Sequence, residues 1–121
     1  ENIAVAPLAV LGAKLSPGTR SLAVAQDRAE EKRFIERCGA RVAPWRAVDD
    51  LAGVEAAVAA LGTPLVLKSR RYGYDGKGQA WVREPGEAAA AWAAIGEQPA
   101  VAEKGIAFDA EFSVILARWA D

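Results

Sequence analysis

The chain has 121 residues, enough for one domain with a real core and too few for two full ones. About half of it (52%) is apolar and 26% is charged, with 15 basic residues against 16 acidic ones, which reads as globular and gives no electrostatic pull toward nucleic acid or a membrane surface. Histidine is absent and cysteine occurs once, which excludes serine triads, Cys–His pairs, zinc sites with histidine ligands and an internal disulfide.

Residues 1–20 are weakly patterned. "PLAVLGAKL" reads as a short helix and "SPGT" as a turn. No apolar run reaches the ~20 residues of a membrane span, and no signal peptide is expected at the start. "TRSLAVAQDRAEEKRFIERCG" reads as helical with a break near Gln26 and Asp27. Asp27 is the expected N-cap, Glu30 and Glu31 suit the first turn, and Gly39 stops the helix. Phe34, Ile35 and Cys38 are expected on its inward face, with Cys38 a small buried or half-buried filler in a reducing cytoplasm. Arg28 and Lys32 stand four apart and share one face, whose plainest reading is a solvated, ion-paired surface.

"RVAPWRAV" follows as a short extended piece, with Pro44 favouring a sheet edge. Asp49 or Asp50 caps the next helix, "LAGVEAAVAALG", in which Leu51, Val54, Val58 and Leu61 recur at three- and four-residue steps. "PLVLK" is a buried strand, "QAWVRE" a second one, and "PGEAAAAWAAIG" a helix burying Trp92 and Ile95. "PAVAEKGI" and "EFSVILAR" are read as two further strands. This order predicts an α+β fold, a small, largely antiparallel sheet with helices on one face. The absence of methionine, with an apolar strand-like run at the end, points to a piece of a longer protein.

Between "PLVLK" and "QAWVRE" lies "KSRRYGYDGKGQA", residues 68–80. Gly73, Gly76 and Gly78 permit positive φ and leave room for a ligand against the backbone. Successive N–H groups in such a turn form an anion-binding concavity, and Lys68 and Lys77 add charge at its base and tip. No Lys-Ser/Thr follows the glycines and a strand comes next, so neither the Walker nor the dinucleotide pattern applies. By spacing alone, a phosphate loop, a plain hairpin with solvated charges, and a basic stacking surface for nucleic acid built on Arg70, Arg71, Tyr72 and Tyr74 all stay open. Asp75 in the middle counts against the last. Glu103 and Glu111, beside two strands, are either ribose- or amine-binding carboxylates or ordinary edge charges.

Three segments in this order and spacing, "AVAQDRAEEKRFIERCGARVAPW", "LVLKSRRYGYDGKGQAWVRE" and "AVAEKGIAFDAEFSVILAR", resemble the ATP-grasp ligases. Within that family they resemble the branch that carboxylates 5-aminoimidazole ribonucleotide with bicarbonate to give N5-carboxyaminoimidazole ribonucleotide in purine biosynthesis, through carboxyphosphate. The resemblance implies ATP and Mg2+ as cofactors, a cytoplasmic enzyme, a homodimer of the full-length protein, and no nucleic-acid or membrane partner. It implies that Arg28 and Lys68 bind nucleotide phosphates and that Gly73, Tyr74, Asp75, Gly76, Lys77, Gly78 and Gln79 form a loop closing over them. Glu103, Lys104, Gly105 and Ile106 then form the strand that reads adenine, and Glu111 binds ribose. Tyr74 and Asp75 are the proposed substrate-side catalytic contacts. The implied division is an amino-terminal domain end and linker over residues 1–20, a helical entry over 21–40, the first ATP-grasp lobe over 41–110, and the incomplete start of a second lobe over 111–121. Metal ligands are expected in that second lobe and not in this chain, which is expected to be inactive alone. A non-catalytic nucleotide-binding module, or another ATP-grasp ligase joining a carboxylate to an amine, is the alternative. One departure stands out: where the family has two glycines before Tyr74, this chain has Tyr72 and Gly73.

Overall fold

A computed structural model describes residues 3–73 and 78–117. The expected loop residues Tyr74, Asp75, Gly76 and Lys77 lie outside the described residues. The chain opens with a 3-10 segment, Ala6–Lys14, kinked at Gly12, and a short helix α1 (Thr19–Ala25). Helix α2 (Arg28–Arg37) follows directly, because Asp27 in extended backbone accepts from the Ala29 and Glu30 N–H groups and so starts a new helix after the break. Strand β1 (Trp45–Val48), helix α3 (Leu51–Leu61, capped by Asp50) and strands β2 (Leu65–Ser69) and β3 (Gln79–Val82) come next. A 3-10 turn (Pro85–Glu87), helix α4 (Ala88–Ala94) and strand β4 (Ala100–Lys104) complete the regular structure of the described residues.

The strands form one four-stranded sheet in the order β1-β4-β2-β3, antiparallel at every pairing. The last strand in sequence therefore lies inside the sheet, between the edge strand β1 and the β2–β3 hairpin. Strand alternation divides the side chains between two faces. On one face Val48, Leu65, Leu67, Val82, Ala100 and Ala102 are buried against Val54, Ala57 and Val58 of α3 and Ala88, Ala91 and Trp92 of α4. Leu65 and Leu67 are wholly buried, each contributing roughly 2 kcal/mol of hydrophobic stabilisation. The other face carries Val66, Lys68, Gln79, Trp81, Val101 and Glu103, which the register sets side by side. Helix α2 reaches this second face. The expectation of helices on one face thus holds for α3 and α4, while α2 serves the opposite side through Lys32 and Glu103.

Three expectations need correction. Phe34 is 42% exposed and Cys38 is exposed, because α2 turns Ala29 and Lys32 rather than Phe34 and Cys38 toward the rest of the fold. The face shared by Arg28 and Lys32 is not simply solvated, since both side chains bond to the sheet or to the loop beyond it. Residues 111–117, read as a strand, form no regular structure. Phe112, Val114, Ile115 and Leu116 are 84%, 68%, 94% and 87% exposed, and among the described residues no sheet edge pairs with them. Among the described residues no helix is long and apolar enough to cross a membrane.

Candidate functional site

The sheet face away from the core forms the floor of a cleft of about 410 Å3. Val66 and Trp81 pair across β2 and β3, and Val66 faces Glu103 across β2 and β4, so an apolar wall meets a carboxylate. The cleft is lined by Lys68, Gln79, Glu103, Lys104, Gly105, Ile106 and Glu111, together with Val66, Trp81 and Phe108. These residues come from two strands of a hairpin, the central strand and the segment after it. Antiparallel register brings them together, and linear distance in the sequence hides it.

Glu103 is the electrostatic centre of the cleft. Its residue is only 8% exposed, yet it carries two cations: Lys68 Nζ lies 3.1 Å from Oε2 and Lys32 Nζ 3.2 Å from Oε1. A carboxylate this deep is tolerable because both oxygens are paired. Lys68 faces the open cleft, whereas Lys32 approaches from α2 and its side chain is only 13% exposed.

The backbone after Glu103 is partly committed. The Lys104 N–H donates to the Pro44 carbonyl (2.8 Å) and the Gly105 N–H to the Pro64 carbonyl (2.9 Å). Lys104 Nζ donates to the Thr63 carbonyl at 2.9 Å, so this lysine is turned away from the cleft centre. The Ile106 N–H makes no backbone hydrogen bond among the described residues. Gly105 sits in close approach: a Cβ there would lie 3.0 Å from the Trp81 ring and 3.1 Å from the Pro64 carbonyl.

The root of the loop is tightly built. The Ser69 N–H and Oγ both donate to the Gly78 carbonyl, at 2.8 and 3.1 Å, and Gln98 Nε2 donates to Ser69 Oγ. Arg28 Nε donates to the Ser69 carbonyl and its Nη2 to the Gly73 carbonyl, so this guanidinium holds the segment entering the loop at two points. A Cβ on Gly78 would lie 2.6 Å from Gly73 Cα and 2.8 Å from Ser69 Oγ. Neither Gly73 nor Gly78 has positive φ; Tyr72 does, at 60°. Gly73 and Gly78 at the loop root serve close packing of the two chain ends, and the left-handed backbone that glycine would permit falls on Tyr72. Asp27 accepts from Arg70 through both oxygens and caps α2. Burial alone would raise its carboxyl pKa, but the Arg70 hydrogen bond and the Glu30 and Ala29 N–H groups outweigh it and hold the pKa below the ordinary value.

The sequence reading named Lys68, Gln79, Glu103, Lys104, Gly105, Ile106 and Glu111, and all seven line this one cleft. Arg28, Gly73 and Gly78 stand at the loop root. The reading missed Lys32 as a site residue and the apolar wall of Val66, Trp81 and Phe108. Two-residue alternation with Lys68 and Gln79 marks Val66 and Trp81, and the four-residue step from Arg28 marks Lys32.

Residues 33–121 match the ATP-grasp domain. The chain is 43% identical over 122 residues to N5-carboxyaminoimidazole ribonucleotide synthase of Brucella melitensis, across 98% of this chain and 34% of that protein. It superposes on the ADP complex of an N5-carboxyaminoimidazole ribonucleotide synthetase with a TM-score of 0.81 at 34% identity, over 89% of this chain and 29% of the other. The Staphylococcus aureus synthetase complexed with ADP gives a TM-score of 0.78 at 31% identity, over 87% and 29% of the two chains. The chain therefore spans about a third of the length of the curated relatives it matches.

Proposed function

Because the chain belongs to the ATP-grasp family, we propose that it supplies the nucleotide-gripping lobe of an ATP-dependent ligase that carboxylates 5-aminoimidazole ribonucleotide with bicarbonate, yielding N5-carboxyaminoimidazole ribonucleotide for purine synthesis. The observation that carries this reading is the cleft itself. A buried carboxylate, a lysine at a strand end, an apolar wall and a second carboxylate line one cavity of about 410 Å3. The names of the similar proteins supply the substrate.

In this reading adenine lies against Val66, Trp81 and Ile106. The Ile106 N–H is the donor available to its edge, because Lys104 and Gly105 have spent theirs. Glu111 accepts from ribose hydroxyls. Lys68 neutralises phosphate charge, and Gly73, Gly78, Gln79 and the residues between them close over the phosphates. Arg28 holds the segment that leads into that loop through the Ser69 and Gly73 carbonyls. Tyr74 and Asp75 are assigned to the substrate side. The γ-phosphoryl group passes from ATP to a bicarbonate oxygen, giving carboxyphosphate and ADP. The exocyclic amine then attacks the carboxyl carbon, phosphate leaves, and the nitrogen gives up one proton to it. Positioning and charge neutralisation carry such a transfer, and no protein nucleophile is needed.

Among the described residues no group of three or more His, Cys, Asp or Glu side chains gathers to hold a metal. These described residues do not fit a magnesium site by themselves. The division into an entry segment over 21–40 and a first lobe over 41–110, a homodimer and a cytoplasmic location belong to the same proposal and rest on the family resemblance.

Calorimetry with MgATP on the product of the complete gene tests the reading, followed by ATP turnover dependent on bicarbonate and 5-aminoimidazole ribonucleotide. Lys68→Ala is expected to weaken ATP binding by about tenfold or more, the loss of one charge-assisted contact. Unchanged ATP affinity in that variant would remove Lys68 from the phosphate site.

A further inference from the structure

Lys32 has no place in the reading above, yet it is the more buried of the two lysines on Glu103. We propose that Lys32 is the charge-compensating residue of the nucleotide site: it neutralises Glu103 at the moment Lys68 leaves Glu103 for the nucleotide phosphates. This inference rests on the ATP-site reading and adds a positioning residue to it.

The geometry separates the two lysines by role. Glu103 uses a different oxygen for each, Oε2 for Lys68 and Oε1 for Lys32, so one bond can break while the other persists. Lys68 lines the open cleft and its side chain is 28% exposed, so its ammonium can move to an incoming anion. Lys32 sits on α2, whose N-terminus Asp27 anchors to Arg70, and its side chain is 13% exposed. It does not line the cleft, and it has little room to follow Lys68. A buried carboxylate stripped of one cation needs another, or it holds the departing one back and repels the phosphates. Lys32 meets that need. The site then presents one movable cation to the nucleotide without leaving an unpaired charge in the sheet.

The test is a double-mutant cycle on the product of the complete gene, reading ATP dissociation constant, KM for ATP and kcat. Lys32→Met is expected to raise both constants for ATP about tenfold while kcat changes little, because Glu103 now retains Lys68. Glu103→Gln in the Lys32→Met background is expected to restore most of that loss, since no carboxylate remains to hold Lys68 back. Lys32→Arg is expected to stay near wild type. A purely structural Lys32 predicts the opposite sign: two lesions at one buried site, with the double variant as weak as or weaker than the single one. That outcome, or unchanged ATP affinity in Lys32→Met, overturns the inference. Lys32→Gln provides the same comparison where Lys32→Met does not fold, as judged by circular dichroism. Failure of the wild type to bind ATP overturns the nucleotide reading and this inference together. Wild-type binding without rescue overturns this inference alone.

Discussion

Asp27 binds Arg70 through separate oxygens, accepting from Nε on Oδ1 at 3.0 Å and from Nη2 on Oδ2 at 2.7 Å, while Oδ1 also caps helix α2. One carboxylate thus ties the helix that carries Arg28 and Lys32 to the strand end that carries Lys68. Its depressed pKa makes the tie pH-dependent. The folded-state value lies below the ordinary 3.8, so the stabilisation is fully present above that value and is lost as pH falls through the folded pKa. Asp27→Asn keeps a capping oxygen and removes the charge. The variant is expected to be less stable than wild type by about 1–2 kcal/mol near neutrality, with the gap closing in acid. Urea denaturation of both proteins across the acid range measures this. A gap independent of pH would show that the ion pair carries none of it.

Gly78 faces a backbone neighbour, not a flexible side-chain tip. A Cβ 2.6 Å from Gly73 Cα forces the two ends of the loop apart. Gly78→Ala is expected to cost about 1–3 kcal/mol and to weaken ATP binding together with stability. Gly86→Ala, where the added carbon meets nothing within 4 Å, serves as the control. Equal effects at the two positions would count against the close approach.

Tyr72 holds a φ of 60° with 60% of its surface exposed. Left-handed backbone costs a residue with a side chain about 1–2 kcal/mol, and little burial is at stake here. Tyr72→Gly is expected to raise thermal stability by about 1 kcal/mol. A fall instead would mean that the ring makes a contact worth more than the backbone strain.

Trp81 lines the cleft at 45% exposure with the Arg83 guanidinium 5.5 Å from its ring centre, whereas Trp92 is buried in the core. Adding ATP is therefore expected to change tryptophan emission through Trp81. Trp81→Phe should abolish most of the change while preserving binding by calorimetry. A change of the same size in Trp81→Phe would place the nucleotide elsewhere.

Patterns within one element were legible in the sequence. Three-and-four spacing marked α3, the polar start at Asp27 marked α2, a short apolar run marked β2 and alternation marked β3. The same logic failed for residues 111–117, where strand-like composition meets no partner edge among the described residues. It failed again at Phe34 and Cys38, because helical periodicity shows that a stripe exists without showing which stripe touches the fold.

The sequence by itself determined most of the element types and the α+β class, and its resemblance to the ATP-grasp ligases pointed to the seven residues between Lys68 and Glu111 that line the cleft. The element types follow from local chemistry: propensity, capping and side-chain spacing act over a few residues. Only the tertiary structure decided that β4 lies between β1 and β2, and hence that Glu103 stands beside Lys68. It also decided that Lys32, far away in the chain, completes the pair on that carboxylate. Sheet order and charge pairing depend on which surfaces bury one another, and that is a property of the folded chain as a whole.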